Sequence, residues 1–298
     1  MQQVSAVRAA SWRSTVSAYI NLMKPHVTVL LLGVTLAAMV VAQGGFPPLG
    51  LTLATLLGGG LAAGSANAIN CYWDRDIDQI MTRTRSRTLP AHRVPDAHAL
   101  VFGLTLAVAS FALLFRFANL LSAILALSAI LFYVCVYTMW LKRTTPQNIV
   151  IGGAAGAVPV LVGWAAVTGT VGLSAIWMFL VIFLWTPPHF WALSLILKKD
   201  YERAGVPMLP VVMGDAETHL QIILYSFLLL AATLILFATQ AMGYLYLASA
   251  VLLGTGLLVL AFILAREKTL RRARALFWFS NYYLALLFAA MVLDRVLR

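Results

Sequence analysis

The amino-acid sequence predicts an all-α integral membrane protein, a polytopic bundle of about nine transmembrane helices. Of its 298 residues, 62% are hydrophobic and only 10% are charged, and the mean hydropathy of +0.90 lies outside the range of ordinary soluble domains. A helix needs about 20 apolar residues to cross the hydrocarbon core of a bilayer. Nine segments approximately reach that length: residues 26–43, 49–70, 98–115, 118–140, 147–168, 173–195, 218–238, 243–264 and 275–293.

These segments are continuously apolar and lack the alternating pattern of barrel strands, which leaves a helical bundle as the spanning architecture. We expect a cytoplasmic arm at residues 1–25 followed by one integral-membrane domain at residues 26–298. The net charge of +11 would suggest nucleic acid in a soluble protein. Here the basic residues lie between spanning segments, so they indicate topology, and the expected partner is the lipid bilayer rather than nucleic acid.

Lysine and arginine are distributed unevenly between the two sets of connections. The arm and every second connection contain Arg8, Arg13, Lys24, Arg75, Arg83, Arg85, Arg87, Arg93, Lys142, Arg143, Lys198, Lys199, Arg203, Arg266, Lys268, Arg271, Arg272 and Arg274. The opposite side contains only Arg116, Arg295 and Arg298. Because basic residues are retained on the cytoplasmic side, we expect a cytoplasmic amino terminus and an odd number of spans.

The arm contains no apolar core with a small-residue cleavage site, so no cleaved secretory signal is expected. A multi-pass protein of a bacterial inner (plasma) membrane is the favoured location. The mitochondrial inner membrane remains an alternative, because a transit sequence is also basic and poor in acidic residues. Cys71 and Cys135 lack metal-ligand spacing, and we expect both to be small buried residues.

Three oxygen-bearing side chains follow one another at intervals of four residues where the second span ends. Asn70, Asp74 and Asp78 share one face if this segment is helical. Two carboxylates and an amide oxygen form a hard donor set suited to Mg²⁺, which retains water and takes phosphate oxygens as further ligands. The alternative is that the carboxylates pair with neighbouring arginines. Asp76 lies about 200 degrees around the helix from Asp74 and is expected to face solvent or form a salt bridge.

Three arginines follow this cluster at alternate positions. In an extended segment Arg83, Arg85 and Arg87 would point the same way, and arginine suits bidentate recognition of phosphate. Charge retention on the cytoplasmic side would place arginines here without any ligand.

A second charged region follows the sixth span. Two prolines, Pro187 and Pro188, are expected to break or bend that span next to His189. An intramembrane histidine suggests function, although a structural histidine explains it nearly as well. Beyond it, Lys198, Lys199 and Asp200 could contact phosphate and supply a second metal ligand, or form an ordinary helix-end cluster of charges.

The block formed by Asn70, Asp74 and Asp78, continued as DRDIDxxMxRTxxR, resembles the first aspartate-rich motif of the UbiA superfamily of intramembrane prenyltransferases. The resemblance extends over nearly the whole chain and is closest to the haem-farnesylating branch. Its supporting stretches are residues 22–25, 137–145, 148–156, 163–169, 186–191 and 200–210.

The resemblance implies transfer of a farnesyl group from farnesyl diphosphate to a vinyl group of haem B, with Mg²⁺ as cofactor. It implies catalytic roles for Asn70, Asp74 and Asp78, with Asp200 as a further metal ligand. The substrate-binding set that we assign is Arg83, Arg87, Lys142, Arg143, Asn148, His189, Lys198, Lys199, Asp200 and Tyr201, with Tyr137 also on the acceptor side. Haem A synthase and a terminal oxidase are the protein partners compatible with such a product.

One position departs from the pattern of the superfamily. Many members carry two aspartates four residues apart in the second block, whereas Asp200 is followed here by Ala204. Three other functions remain as alternatives: prenylation of a quinone precursor, membrane transport, and a non-catalytic role in oxidase assembly. Transport would favour ionisable residues near the middle of the bilayer. A non-catalytic assembly subunit would not require the stacked oxygen donors.

Overall fold

The computed structural model describes residues 12–298, which form helices and connecting turns. The helices are α1 Trp12–Leu22, α2 Pro25–Gln43, α3 Leu49–Trp73, α4 Arg75–Ile80, α5 Asp96–Phe117, α6 Leu120–Leu131, a π-helical segment Phe132–Leu141, α7 Lys142–Thr144, α8 Asn148–Thr168, α9 Leu173–Ile196, α10 Lys198–Arg203, α11 Leu209–Val212, α12 Gly214–Ala238, α13 Tyr244–Glu267 and α14 Leu270–Val296.

Within residues 12–298, nine helices are long and apolar enough to cross a membrane, counting Leu120–Thr144 as one span. The predicted fold class and number of spans are confirmed. Several spans are longer than predicted; α3 continues to Trp73 and α14 begins at Leu270. Part of the predicted arm is the helix α1, whereas Arg8 lies outside the described residues.

Consecutive spans are neighbours in space. The chain runs from α2 through α3, α5, α6, α8, α9, α12 and α13 to α14, which returns to pack against α2. Helix α8 also packs against α2, and α14 against α9. Helices α2, α8, α9 and α14 thus form the centre of the bundle, where the largest cluster of buried apolar side chains lies.

The spans contain a π-helical segment and internal prolines, at Pro159 in α8 and at Pro187 and Pro188 in α9. The chain changes from α-helical to π-helical hydrogen bonding at Phe132–Leu141, where the Lys142 N–H reaches the carbonyl of Tyr137. Helix α9 runs through Pro187 and Pro188, so of the predicted break or bend, a break does not occur. Since proline has no N–H, the carbonyls four residues earlier, at Phe183 and Leu184, lack their usual helical donors.

The two cysteines differ from expectation in one respect. Cys71 is buried as predicted, whereas Cys135 is exposed on the surface of the π-helical segment. The prediction was wrong for Cys135 because an apolar spanning segment has a lipid-facing side as well as a buried one, and apolarity alone does not distinguish them.

Small residues allow close approach between the central helices. A Cβ atom at Gly163 of α8 would lie 2.4 Å from the backbone oxygen of Thr35 on α2. At Gly156, seven residues earlier on the same helix, a Cβ atom would meet nothing within 4 Å. Glycine is therefore sterically required at the first position and not at the second, as is common where spanning helices cross closely.

We expect Gly163→Ala to lower the free energy of unfolding in detergent by about 1–3 kcal/mol, because α2 and α8 must separate to admit the methyl group. Gly156→Ala is the matched control on the same helix. It should be neutral or slightly stabilising, since alanine favours helix more than glycine does. Equal unfolding midpoints for the two variants would contradict this account of the packing.

Candidate functional site

One end of the bundle gathers the charged connections, and we call it the charged end: residues 74–95, residues 142–147 and residues 197–215. Asp74 follows directly after α3, and its side chain is buried, with 1% exposure. Its Oδ2 accepts a hydrogen bond from Lys142 Nζ at 2.5 Å. An Arg143 nitrogen lies 3.6 Å from its Oδ1, and no described residue donates a hydrogen bond to that oxygen.

Asn70 lies one turn before Asp74 and joins it to two other segments. Its amide nitrogen donates to Asp74 Oδ2 at 2.7 Å and to Thr138 Oγ1 at 3.1 Å. Its carbonyl oxygen accepts from Lys24 Nζ at 2.9 Å. The amide oxygen that we expected beside the two carboxylates is thus directed to Lys24, while the amide nitrogen faces Asp74.

Lys24 and Thr138 lie in stretches that carry the family resemblance, but neither was expected to take part in the site. Lys24 adopts a left-handed backbone conformation (φ 50°) between α1 and α2. This turn is held by Asn67, whose amide donates to the Met23 carbonyl at 3.1 Å. Burial lowers the pKa of the Lys24 ammonium. The available signal was a basic residue directly before the proline that begins a span.

Asp78 lies on the short helix α4 and is also buried. Arg87 donates from one nitrogen to both carboxylate oxygens, each at 3.0 Å. Burial of the guanidinium opposes its charge, but the adjacent carboxylate prevails and raises the pKa of Arg87. Thr84 donates to the Asp78 carbonyl at 3.0 Å, so the following loop is attached to the same residue.

The loop that carries the arginines is not extended, so the expectation of an alternating array was wrong. Backbone hydrogen bonds join Thr84 and Arg85 to the Met81 carbonyl and Arg87 to that of Thr84. Successive turns result, because the chain must double back from α4 to α5 over the end of α3. In this geometry Arg87 reaches the buried Asp78, whereas Arg83 and Arg85 are exposed.

Asp76 points away from the buried cluster, as predicted. Both of its oxygens accept from Arg143, at 2.8 and 2.9 Å. Hydrogen bonding to Arg143 lowers the pKa of Asp76 to about 2. This pair lines a separate open depression at the surface, so Arg143 is divided between Asp76 and the edge of the buried site.

The second charged region meets the first through Asp200. Asp200 Oδ2 accepts from the backbone N–H of Arg83 at 3.3 Å, and Asp200 is also paired with Arg203. Its burial opposes ionisation, but these donors prevail and lower the pKa of the carboxyl. Tyr201 is buried, and burial raises its pKa, against the opposing charge of Arg83.

The lysines of the second region are not held in the first cluster. Lys198 is paired with Asp215 at 2.7 Å, and Lys199 is exposed. Asn148, which begins α8, is buried and donates to the carbonyl of Thr145 at 2.6 Å, and its Oδ1 has no partner among the described residues. This hydrogen bond holds the turn that precedes α8, next to the charged end.

An apolar cavity of about 310 Å³ lies inside the bundle, between α2, α3, α6, α8 and α9. Nearest the charged end it is lined by Asn67, one turn before Asn70, and by Tyr133 and Tyr137 of the π-helical segment. The two tyrosine rings lie 5.3 Å apart. Trp185, Thr186 and Phe190 of α9 form the facing wall together with glycines of α8.

The π-helical segment explains how one span serves both the cavity and the cluster. Its hydrogen bonds span five residues, so positions four and five apart stay on one side of the helix. Tyr133 and Tyr137 line the cavity, Thr138 bonds Asn70, and Lys142 bonds Asp74. At Gly152 of α8 a Cβ atom would lie 2.3 Å from the Tyr137 ring, so this glycine makes room for it.

The donor set fits magnesium bound to a diphosphate. Within residues 12–298 no cluster of three His, Cys, Asp or Glu side chains is close enough to enclose a metal ion. Mg²⁺ is commonly held by one or two carboxylates while phosphate oxygens and water complete its shell. Asp74 and Asp78 supply such carboxylates, and the buried Asp74 Oδ1 has no hydrogen-bond donor of its own.

Residues 31–288 match the model of the UbiA prenyltransferase family. The chain belongs to the UbiA prenyltransferase family. The resemblance seen in the sequence is thereby confirmed, and the family accounts for an all-helical membrane enzyme with a carboxylate cluster at one end of the bundle.

Relatives within the family cover almost the whole chain. The protein named protoheme IX farnesyltransferase from Gloeobacter violaceus is 55% identical over 93% of this chain and 92% of its own. A protein of the same name from Symbiobacterium thermophilum is 54% identical over 93% of both chains.

Solved structures agree with the fold. A digeranylgeranylglyceryl phosphate synthase structure has a TM-score of 0.79 at 17% identity, covering 95% of this chain and 99% of that one. A UbiA homologue from Archaeoglobus fulgidus, bound to GPP and Mg²⁺, has a TM-score of 0.67 at 15% identity, covering 92% and 99%. Identities this low show a common fold only.

We expect Arg87→Ala to lower the free energy of unfolding by about 1.5–3 kcal/mol, because the buried Asp78 carboxylate loses its charged partner. Arg85→Ala is the matched control, since Arg85 lies exposed in the same loop. Its effect should remain within about 0.5 kcal/mol. Chemical unfolding of both variants in detergent tests this, and similar losses in the two would contradict the pairing as the source of stability.

Proposed function

We propose that this protein transfers the farnesyl group of farnesyl diphosphate to a vinyl group of haem B and so forms haem O. The observation that carries the proposal is the buried cluster of Asn70, Asp74 and Asp78, which begins one helical turn beyond Asn67, a residue that lines an apolar cavity. It occurs in a chain 55% identical, over nearly its full length, to a relative named protoheme IX farnesyltransferase. The UbiA homologue bound to GPP and Mg²⁺ supports the choice of an isoprenoid diphosphate as donor.

The carboxylates of Asp74 and Asp78 would hold Mg²⁺ on the diphosphate, with Asp200 at the neighbouring edge of the charged end. Magnesium supplies positive charge that stabilises the departing diphosphate. Lys24, Lys142 and Arg87 add protein charge at the same place. Fixed cations of this kind favour a transition state in which negative charge grows on the leaving group.

The reaction then requires a dry site for the allylic cation. When the carbon–oxygen bond of farnesyl diphosphate breaks, both bonding electrons leave with the diphosphate, and the farnesyl carbon becomes positive. The cavity beneath the cluster is lined mainly by apolar side chains, which exclude water from that carbon. The rings of Tyr133 and Tyr137 line the part of the cavity nearest the charged end, where their faces can stabilise positive charge.

The haem vinyl group donates its electron pair to the farnesyl carbon, and a carbon–carbon bond forms. The positive charge moves to the vinyl carbon next to the porphyrin. Addition of one water molecule and release of one proton there complete the hydroxyethylfarnesyl side chain. Haem A synthase or a terminal oxidase would take up this product.

We infer that residues 26–298 act as one domain and that the charged end faces the cytoplasm of a bacterial cell. The excess of Lys and Arg in the connections at this end supports that orientation, which also places the arm inside. A water-soluble diphosphate head group would then enter from the cytoplasm, while its hydrocarbon chain occupies the cavity.

Asp74→Asn should reduce haem O formation by about a hundredfold or more, because the ionised carboxylate that holds the metal is lost. The assay combines purified protein, haem B, farnesyl diphosphate and Mg²⁺, with pigments separated and identified by mass. Asp96→Asn is the matched control, since Asp96 is half-exposed at the same end and, among residues 12–298, forms its ion pair with Arg75. A full rate in Asp74→Asn would overturn the site, and prenylation of a quinone precursor in place of haem B would overturn the acceptor.

Two substitutions at Tyr137 distinguish the contribution of its aromatic ring from that of its hydroxyl group. Tyr137→Phe should retain most of the rate, whereas Tyr137→Leu should reduce kcat by about tenfold or more, because only the first keeps an aromatic face toward the cation. The same pigment assay measures both variants. A loss in Tyr137→Phe equal to that in Tyr137→Leu would assign the effect to the hydroxyl and contradict ring stabilisation.

A further inference from the structure

His189 is enclosed by two aromatic rings between helices α9 and α14. The indole of Trp185 lies 4.2 Å from the imidazole and 15° from parallel. The ring of Phe277 lies 4.8 Å from it at 24°. The imidazole plane is thus fixed on both faces, and the ring can present only its edges to other groups.

One edge of the imidazole is held by Ser280. His189 Nδ1 lies 2.8 Å from Ser280 Oγ, and the same hydroxyl donates to the Phe277 carbonyl at 2.7 Å. A carbonyl can only accept, so it takes the hydroxyl hydrogen, and Oγ is left to accept from Nδ1–H. In the neutral imidazole this places the remaining lone pair on Nε2. The Ser280 carbonyl also accepts from Trp185 Nε1 at 2.7 Å, which fixes the covering indole.

The position of His189 on α9 falls between residues that line the cavity. Ile182, Trp185, Thr186 and Phe190 of α9 line it, and a period of 3.6 residues places His189 within the arc that they define. His189 is partly exposed, and none of residues 12–298 forms a hydrogen bond to its Nε2. A basic nitrogen held in a fixed orientation by a hydrogen bond on its opposite side is the usual arrangement of a metal-binding histidine.

We propose that His189 holds the haem acceptor through a bond from its Nε2 to the haem iron, with Ser280 as the positioning residue. This inference rests on the proposed function, which makes haem B the acceptor. Imidazole is the common axial ligand of haem iron, and an edge-on imidazole between two rings leaves the porphyrin plane free to lie against the cavity. Fixing the iron fixes the vinyl groups relative to the charged end, where the farnesyl carbon becomes positive.

The experiment uses the purified full-length protein in detergent with haem B, and omits both farnesyl diphosphate and Mg²⁺. Absorption and electron paramagnetic resonance spectra report the iron ligand, and a titration gives Kd. The wild type should show histidine-ligated haem. His189→Ala should lose that signature and raise Kd by about tenfold or more, and free imidazole should restore the spectrum by entering the space that the side chain leaves. His189→Met should give a different, thioether-ligated spectrum.

His219→Ala is the matched control. His219 is buried in α12, and none of the residues that line the cavity belongs to that helix, so this variant should bind haem as the wild type does. Ser280→Ala should weaken haem binding by about tenfold, since the histidine loses the hydrogen bond that orients it. Thermal unfolding of all variants identifies any loss that arises from misfolding, and imidazole rescue requires a folded protein.

A histidine-ligated spectrum of unchanged Kd in His189→Ala would overturn the proposal, and so would a wild type without such a spectrum. The pigment assay measures haem O formation independently of the haem spectrum, so the two proposals can fail separately. If haem O forms while His189→Ala keeps the wild-type spectrum, the ligand is wrong and the function stands. If the wild type binds haem through His189 but transfers no farnesyl group, the function is wrong and the ligand stands.

Discussion

Two carboxylates are buried at one end of a helical bundle, and the rest of the site depends on how their charge is balanced. Asp74 and Asp78 are 1% and 2% exposed. Ionised groups withdrawn from water are tolerated only when they are paired and hydrogen-bonded. Lys142 lies 68 residues from Asp74 in the sequence, and Arg87 lies beyond a reversal of the chain. Asp78 is thus balanced by a nearby loop, whereas Asp74 is balanced only when the span that ends at Lys142 packs beside α3.

Helix α3 connects this charged cluster to the apolar cavity. Asn67 lines the apolar cavity, while Asn70 and Asp74, one and two turns later, belong to the cluster. The transition occupies about 10 Å of helix at a rise of 1.5 Å per residue. Electrostatic interactions are strongest where water is excluded, so the apolar wall beneath the cluster also strengthens the charges above it. A prenyl diphosphate has the same division between a charged head and an apolar chain.

The sequence predicted the spans and the residues of the site better than it predicted which side chains pair with each other. Apolar length predicts nine spans because the thickness of the bilayer is a strict constraint, and a four-residue repeat places Asn70, Asp74 and Asp78 on one face of a helix. Arg87 balances Asp78 from the adjoining loop, but Lys24 and Lys142 come from distant segments, and nothing in local sequence assigns Lys24 to Asn70 or Lys142 to Asp74. Such pairings depend on tertiary structure.

Sequence patterns also did not predict the local backbone conformation of the arginine loop and of two spans. Alternation of arginines suggested an extended loop, but a loop that must reverse direction over the end of α3 forms turns instead. Apolar periodicity does not separate α-helix from π-helix, so the shift at Phe132–Leu141 was unforeseen. Pro187 and Pro188 suggested a break, yet α9 remains a helix because packing on both sides constrains it.

The two irregular stretches lie on opposite walls of the cavity, and this placement has a physical reason. In a regular α-helix, the positions that face one neighbour recur every three or four residues, so few side chains can converge on one point of that neighbour. The π-helical segment adds nearly a residue to each turn, and the same stretch of chain brings Thr138 to Asn70 and Lys142 to Asp74 while Tyr137 lines the cavity. In α9, the helical turn that carries two prolines leads directly to His189 and its enclosing rings. The π-helical wall departs from α-helical geometry where it presents polar groups at the edge of an apolar space, whereas α9 presents His189 from a continuous helix.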